Sequence, residues 1–380
     1  MKRWLLMPVL LMSLALQAQD SIPALQQPSA SLPEQPVQYE NPQKKKSWLR
    51  RTIEGFVYID TNYVEPQHYD WSVMAQASYN YDYYRLSGSG DNKQSFFFAP
   101  TPTLKAGPYF GWRWAFLGYT FDLRHVNFSQ ETKNIEFSFY SAQIGADFQY
   151  RKTGHDYKLR NVKLGNGINT DALENVPFDG ISTSILGLNV YYIFNHQRFS
   201  YPAAFNQSTC QKISCGTWMV GLGYTQNSIS FDYEKLQCLI DQYLPGQQVK
   251  LSEALMFNNV KYYDTSVSVG YAYNWVFAKH FLFCASLSAA LAYKKTKSET
   301  TNGHRPWKLS EFSFSNFNID GIGRFGLVYN DTRWYAGASS IIRAYTYRKE
   351  QFAANNVFGN LNVYIGYNFG LKKEYRKKKR

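Results

Sequence analysis

Apolar and polar side chains alternate one for one along much of this chain. In 263–275, Tyr263, Thr265, Val267, Val269, Tyr271, Tyr273 and Trp275 alternate with Asp264, Ser266, Ser268, Gly270, Ala272 and Asn274. In 361–369, Leu361, Val363, Ile365, Tyr367 and Phe369 alternate with Asn362, Tyr364, Gly366 and Asn368, and 71–83 follows the same rule from Trp71 to Tyr83. Comparable stretches run through 117–124, 140–151, 186–195, 218–225, 281–293, 317–329 and 334–345. A period of two puts successive side chains on opposite faces of a strand, so the pattern predicts an all-β protein.

Two features favour a transmembrane barrel over a soluble sandwich. Several segments alternate for 12 or more residues, whereas sandwich strands usually run to about 5–6. The apolar faces also end in aromatic rings, Trp71 with Tyr83 and Phe281 with Tyr293, as girdles at two membrane interfaces require. The opposite face is Gly, Ser, Asn and Asp, which a lumen tolerates and a sandwich core does not. Short links near Gly111, at Gln226-Asn227, near 277–279 and at Asn330-Asp331 mostly alternate with longer links at 87–94, 126–134, 197–212, 236–258, 295–310 and 349–355. Periplasmic turns and external loops alternate in this way. The expectation is an antiparallel barrel of about 12 strands (range 10–14) over residues 53–371, with both termini periplasmic. The long link 152–181 breaks the rule on the periplasmic side and has room for a hairpin near Tyr157 to Leu164.

Composition adds the export route. Lys2 and Arg3 precede the apolar stretch Leu5 to Leu16, and Leu16-Gln17-Ala18 ends in a small residue. This reads as a cleaved signal peptide over 1–18, too short for the roughly 20 apolar residues of a membrane span. Residues 19–52 read as a disordered Pro- and Gln-rich linker with a basic patch at 44–51. The formal net charge of +13 is concentrated in that patch and in the tail 372–380, leaving the body near neutral. A nucleic-acid-binding domain would spread Lys and Arg across a folded face, so none is expected. The expected partners are outer-membrane lipids, contacted by the basic flanks, and the barrel-insertion machinery, with a periplasmic or extracellular partner left open.

Three blocks carry a family resemblance: FNHQRFSYPAAFNQSTCQKISCGT at 194–217, NIDGIGRFGLVYNDTRWYAG at 318–337 and NVYIGYNFGLKKE at 362–374. Together they resemble the domain-of-unknown-function family numbered 4421, an uncharacterised outer-membrane barrel family of Bacteroidota-type bacteria. The most specific run is Arg198 to Phe205, with Gln207 and Gln211 after it. The resemblance implies location and architecture and brings no activity with it.

Candidate sites follow from parity and from chemistry. Under the alternation Asp82, Asp122, Arg124, Asp147, Arg151, Asp264, Asp320, Arg324 and Arg343 face inward. They form either a compensating charge network in a narrow lumen or a selectivity filter. The segment holding Arg198, Tyr201, Gln207 and Gln211 reads as a shaped stretch, in a long external loop or folded into the lumen, that plugs the barrel, contacts a ligand or braces the mouth. Cys210 and Cys215 are spaced for a disulfide in an oxidising compartment. His196 and Ser200 would suit a lipid hydrolase only if the imidazole reached the hydroxyl. No cofactor signature and no metal-ligand spacing is present. The functional expectation is a narrow channel or a structural and assembly component, with a lipid-acting hydrolase or a surface-binding barrel as alternatives.

Overall fold

The computed structural model describes residues 59–376 apart from 89–92, 113–114, 119–120, 124–132, 154–155, 166, 248, 298–315 and 350–351. The expected signal peptide, the linker with its basic patch, Arg124 and the last residues of the tail lie outside the described residues, as does the side chain of Asp122.

In chain order the first strands are β1 (Val64–Pro66), β2 (Tyr69–Gly88), β3 (Gln94–Pro100), β4 (Thr103–Trp112), β5 (Ala115–Gly118) and β6 (Phe121–Asp122). There follow β7 (Lys133–Tyr140), β8 (Ile144–Thr153), β9 (Tyr157–Lys163), β10 (Pro177–Phe178), β11 (Ile181–Ile193) and β12 (Thr209–Gln211). The last six are β13 (Cys215–Phe231), β14 (Asn259–Ala278), β15 (Phe281–Lys297), β16 (Phe317–Asn330), β17 (Trp334–Lys349) and β18 (Phe352–Leu371). Two short helices, α1 (Tyr201–Phe205) and α2 (Tyr233–Tyr243), lie in connections. Among the described residues no helix is long and apolar enough to cross a membrane.

All the pairings are antiparallel. The wall runs β4–β2–β18–β17–β16–β15–β14–β13–β11–β8–β7, with β5 and β6 continuing it as two pieces of one stave beside β4. Among the described residues these make twelve staves. The first and last strands of the chain's wall are joined directly, from Trp71 opposite Phe369 to Gly88 opposite Phe352. Side chains from staves far apart in the hydrogen-bonded order also meet inside. Asn360 on β18 donates to Glu136 on β7 at 2.7 Å, and Arg324 on β16 donates to Asp147 on β8. The protein is therefore a transmembrane antiparallel β-barrel, apolar on its outer face.

Outside, Val267, Val269, Tyr271, Tyr273 and Trp275 are exposed, while Asp264, Ser268, Ala272 and Asn274 on the same strand are buried. Two glycines show how the inner wall makes room for rings. A Cβ on Gly145 would lie 2.2 Å from the ring of Tyr191, its cross-strand partner, and one on Gly366 would lie 2.1 Å from Tyr335, placed the same way. A ring folded over a cross-strand glycine pins the register.

One expected turn is corrected and one unexpected turn is found. Gln226 and Asn227 sit inside β13, paired with Leu186 and Ile185, and make no turn. Asn227 is a buried lumen residue, so its polarity marks the inner face and not a chain reversal. A turn missing from the expectation joins β7 to β8 at 141–143, closed by Ser141, whose hydroxyl accepts from the Ile144 amide at 2.9 Å. The two differences cancel in the strand count, but between them they exchange the ends of the barrel. The link 153–181 lies at the outer end. The link 194–214 lies at the periplasmic end with the first and last described residues, where β1 pairs with β12 and the Lys372 amide donates to the His68 carbonyl at 2.9 Å. The stretch Tyr157 to Leu164 supplies β9, which pairs with β3 above the wall and adds no stave pair.

Candidate functional site: a lumen filled in three layers

The periplasmic layer is the segment expected as an external loop. Residues 194–214 turn back into the barrel. Ser200 caps α1, its hydroxyl accepting from the Ala203 amide at 3.3 Å, and Pro202 pre-sets the first helical turn. The helix ends at Asn206, followed by Gln207 in the left-handed region at φ 55°. Tyr201, Ala203 and Ala204 are buried, and a Cβ on Gly326 of β16 would lie 3.1 Å from the Ala204 carbonyl oxygen, so the helix rests against that stave. The Tyr201 hydroxyl is hydrogen-bonded to Ser286 on β15, and Gln207 donates to the Tyr364 hydroxyl on β18 at 2.7 Å.

Gln211 ties the segment together. Its amide nitrogen donates to the Arg198 carbonyl at 2.6 Å and the Ile213 carbonyl at 3.0 Å. Its amide oxygen accepts from the Ser200 backbone and from Asn274 on β14, each at 3.0 Å. Around these bonds Phe199, Tyr201 and Ala204 form one apolar cluster with Tyr140, Tyr191, Met219, Ala272, Leu282 and Val328 from six staves. A cluster that reaches staves on all these sides fills the mouth. Tyr201, Gln207 and Gln211 thus belong to a plug. Arg198 does not enter it and lies at the rim, 3.7 Å from Asp60 and over the Tyr63 ring.

The middle layer is ionic. Asp82, Asp147, Arg151, Asp264, Asp320, Arg324 and Arg343 are all buried. Arg151 lies 3.6 Å from Asp82, and Arg324 pairs with Asp147, which also accepts from Ser138 at 2.7 Å. A third group centres on Lys294, 2.9 Å from Asp320 and 3.9 Å from Asp264. Aromatic faces wrap the cations. Arg324 stands over Tyr191, Lys294 over Tyr262 and Tyr345, and Arg151 and Arg343 over Phe358. Ions taken from water are tolerable when paired and enclosed in this way. Lys294 was not among the expected inward charges. Its signal was present, since it continues the inward phase of Cys284, Ser286 and Ala292 two residues past Ala292, just beyond Tyr293, where the strand was expected to end.

The outer layer is a second apolar core. Tyr84, Ile185, Phe231, Tyr262, Tyr347 and Phe358 of six staves join Phe98 of β3, Leu159 of β9, Phe178 of β10, and Leu236 and Ile240 of α2. Asp232 caps α2 through the Lys235 amide at 2.9 Å. Gln94 accepts from the Ser252 amide at 2.8 Å and donates to the Lys250 carbonyl at 2.9 Å, which fixes β3 against the 249–257 strap.

The remaining candidates separate. The disulfide expected between Cys210 and Cys215 is not formed, and all four cysteines are free. Cys210 faces inward with its sulfur 3.8 Å from the Asn330 carbonyl, whereas Cys215 opens β13 beside the Asn195 amide at 3.0 Å. Burial pushes the Cys210 thiol up to about 12. Ser200 and His196 do not meet. The serine hydroxyl is 2.7 Å from Thr209 Oγ1, and neither imidazole nitrogen has a hydrogen-bond partner. Among the described residues no group of His, Cys, Asp or Glu is arranged to hold a metal.

Residues 58–369, which contain all but the last two residues of the wall and all three layers, match the family described as a domain of unknown function, DUF4421. This chain belongs to that family. No curated protein matches it. Among solved structures the DUF4421 chain is similar to the outer membrane protease OmpT of Escherichia coli, at 7% identity and TM-score 0.34, covering 82% of this chain and 100% of that one. It is also similar to the toluene transporter TodX of P. putida, at 8% identity and TM-score 0.23, covering 80% and 91%. A third is the outer membrane protein OprG of Pseudomonas aeruginosa, at 9% identity and TM-score 0.22, covering 80% and 98%. At such values no activity passes from these barrels to this one.

Proposed function

We propose that this protein is a closed outer-membrane barrel with a structural or assembly role, not a solute channel and not a hydrolase. The observation that supports the reading is the plug. Its helix sits on β16, its tyrosine reaches β15, its glutamines reach β14 and β18, and its apolar side chains occupy the periplasmic mouth. A paired ionic layer and a second apolar core stand above it. A conduit for solutes needs a continuous polar path, and a selectivity filter needs charges that face it unpaired. Here Asp82, Asp147 and Asp320 each have a cation beside them.

Reconstitution in planar bilayers tests this. The intact protein gives no stepwise conductance when correctly folded. Removing 199–210 and joining the flanks through a short glycine linker opens the periplasmic mouth, yet the ionic layer and outer core remain, so conductance stays low. Frequent open-channel steps from the intact protein would overturn the closed-barrel reading.

A further inference from the structure

The outer wall carries a feature that the filled lumen does not account for. At the seam where β2 meets β18, flanked by β4 and β17, a groove of about 1260 Å³ opens on the membrane-facing surface. The register shows how it arises. One level across the four staves reads Phe110, Val73, Tyr367 and Trp334, and the next level away from the periplasmic rim reads Pro108, Ala75, Ile365 and Ala336. A third level reads Ala106, Ala77, Val363 and Ala338. Rings stand on both sides of Val73, with Trp71 against Phe110 at 5.4 Å and Trp334 against Tyr367 at 4.6 Å. Behind this interrupted aromatic belt the groove is lined by Ala75, Pro108 and Ile365.

A cation stands at its mouth. Arg333 is exposed, in the tight β16–β17 turn, and its Nε and Nη2 donate to the Tyr367 hydroxyl at 2.9 and 2.6 Å. The adjacent Asp331 is taken up by the backbone amides of Arg333 and Trp334 and by the Tyr329 hydroxyl. The same seam is where the chain enters and leaves the wall, so β18 runs directly into Lys372, Lys373 and Arg376. Aromatic rings, an apolar groove between them and an exposed cation at its mouth are three separate requirements of one ligand.

We infer that the β4–β2–β18–β17 seam is a binding site for an anionic phospholipid of the inner leaflet, with an acyl chain against Val73, Ala75 and Ile365 and the phosphate on Arg333. The groove faces lipid, so its occupant comes from the membrane. The charge at its mouth selects among membrane lipids, and one Arg or Lys near such a surface is worth about 1 kcal/mol, or about fivefold in affinity.

The full-length protein in zwitterionic detergent is titrated with phosphatidylglycerol or with phosphatidylcholine of the same acyl chains, and bound lipid is counted by native mass spectrometry. One phosphatidylglycerol binds about fivefold more tightly than phosphatidylcholine. Arg333→Gln abolishes that preference. Ala75→Leu, which fills the groove, weakens both lipids, and an unchanged heat-dependent gel shift shows that each variant is folded. Equal binding of the two lipids by the unaltered protein, or a preference that survives Arg333→Gln, overturns the site. So does loss of the preference only on removal of 372–380, which would assign the lipid to the tail. A detergent-stable dimer broken by Ala75→Leu would give the seam to a second copy of the chain and overturn it too.

Discussion

The two ends of the lumen are both closed by apolar side chains, but by opposite means. The periplasmic plug is one contiguous segment, and its bonds converge on a few polar residues, with Gln211 alone making five. The outer core draws on β3, β9, β10, α2 and the 249–257 strap, separated in sequence and joined chiefly by rings such as Phe98, Phe178 and Phe231, whose centroids lie 5.5–6.1 Å apart. A segment held by a polar hub can leave without disturbing the wall. A core assembled from several connections, each tied to the wall at both ends, cannot. The periplasmic end should therefore open locally and the outer end only with the barrel.

The sharpest test of that difference is a pair of truncations. Phe231→Ala empties the centre of the outer core and should cost about 3–5 kcal/mol of global stability, as removal of a buried ring does. It would appear as a lower urea midpoint and a lower temperature for the heat-dependent gel shift. Gln211→Ala strands the Ser200 amide and takes a donor from three carbonyls and one partner from Asn274, at about 1–3 kcal/mol. That loss should fall on the plug, read as faster hydrogen exchange at the Ser200 amide with an unmoved urea midpoint. If both variants shift the midpoint alike, plug and core belong to one cooperative unit and the contrast fails.

The barrel was legible in the chain because period two survives wherever one face meets lipid. The buried charges followed from the same parity, since Asp82, Asp147 and Arg324 occupy inward positions whatever the exact strand ends. What escaped was information that parity does not carry. The β7–β8 turn contains only Ser141, Ala142 and Gln143, with no glycine, proline or asparagine to mark it, and it closes through a serine side chain. Asn227 has turn chemistry but faces a lumen where Asn is at home. Together they sent the 194–214 segment to the wrong end. That the segment is shaped was readable from Ser200, Pro202 and the two alanines. That it lies inside the barrel depended on Tyr201, Gln207 and Gln211 meeting partners 85, 157 and 63 residues away, on three different staves.

The smallest effect separates the two ends by thiol access alone. Cys238 lies exposed on α2, Cys210 is buried in the plug, and Cys284 is buried in the wall of β15. A maleimide needs contact with a thiolate, so Cys238 should label at once in the folded protein. Cys284 should label only on unfolding, because its stave does not open alone. Cys210 should fall between them, at a rate set by how often the plug leaves. Gln211→Ala should then raise Cys210 labelling by about 5- to 150-fold, the range that matches a loss of about 1–3 kcal/mol, and leave Cys238 and Cys284 unchanged. Should Cys210 label in the unaltered protein as fast as Cys238, the periplasmic end is not closed, and the contrast between a detachable plug and a built-in core is lost. Should it label no faster in Gln211→Ala, the glutamine is not what holds the plug. The apolar contacts of Phe199 and Tyr201 would then carry the closure, and the two ends would differ in chain connectivity alone.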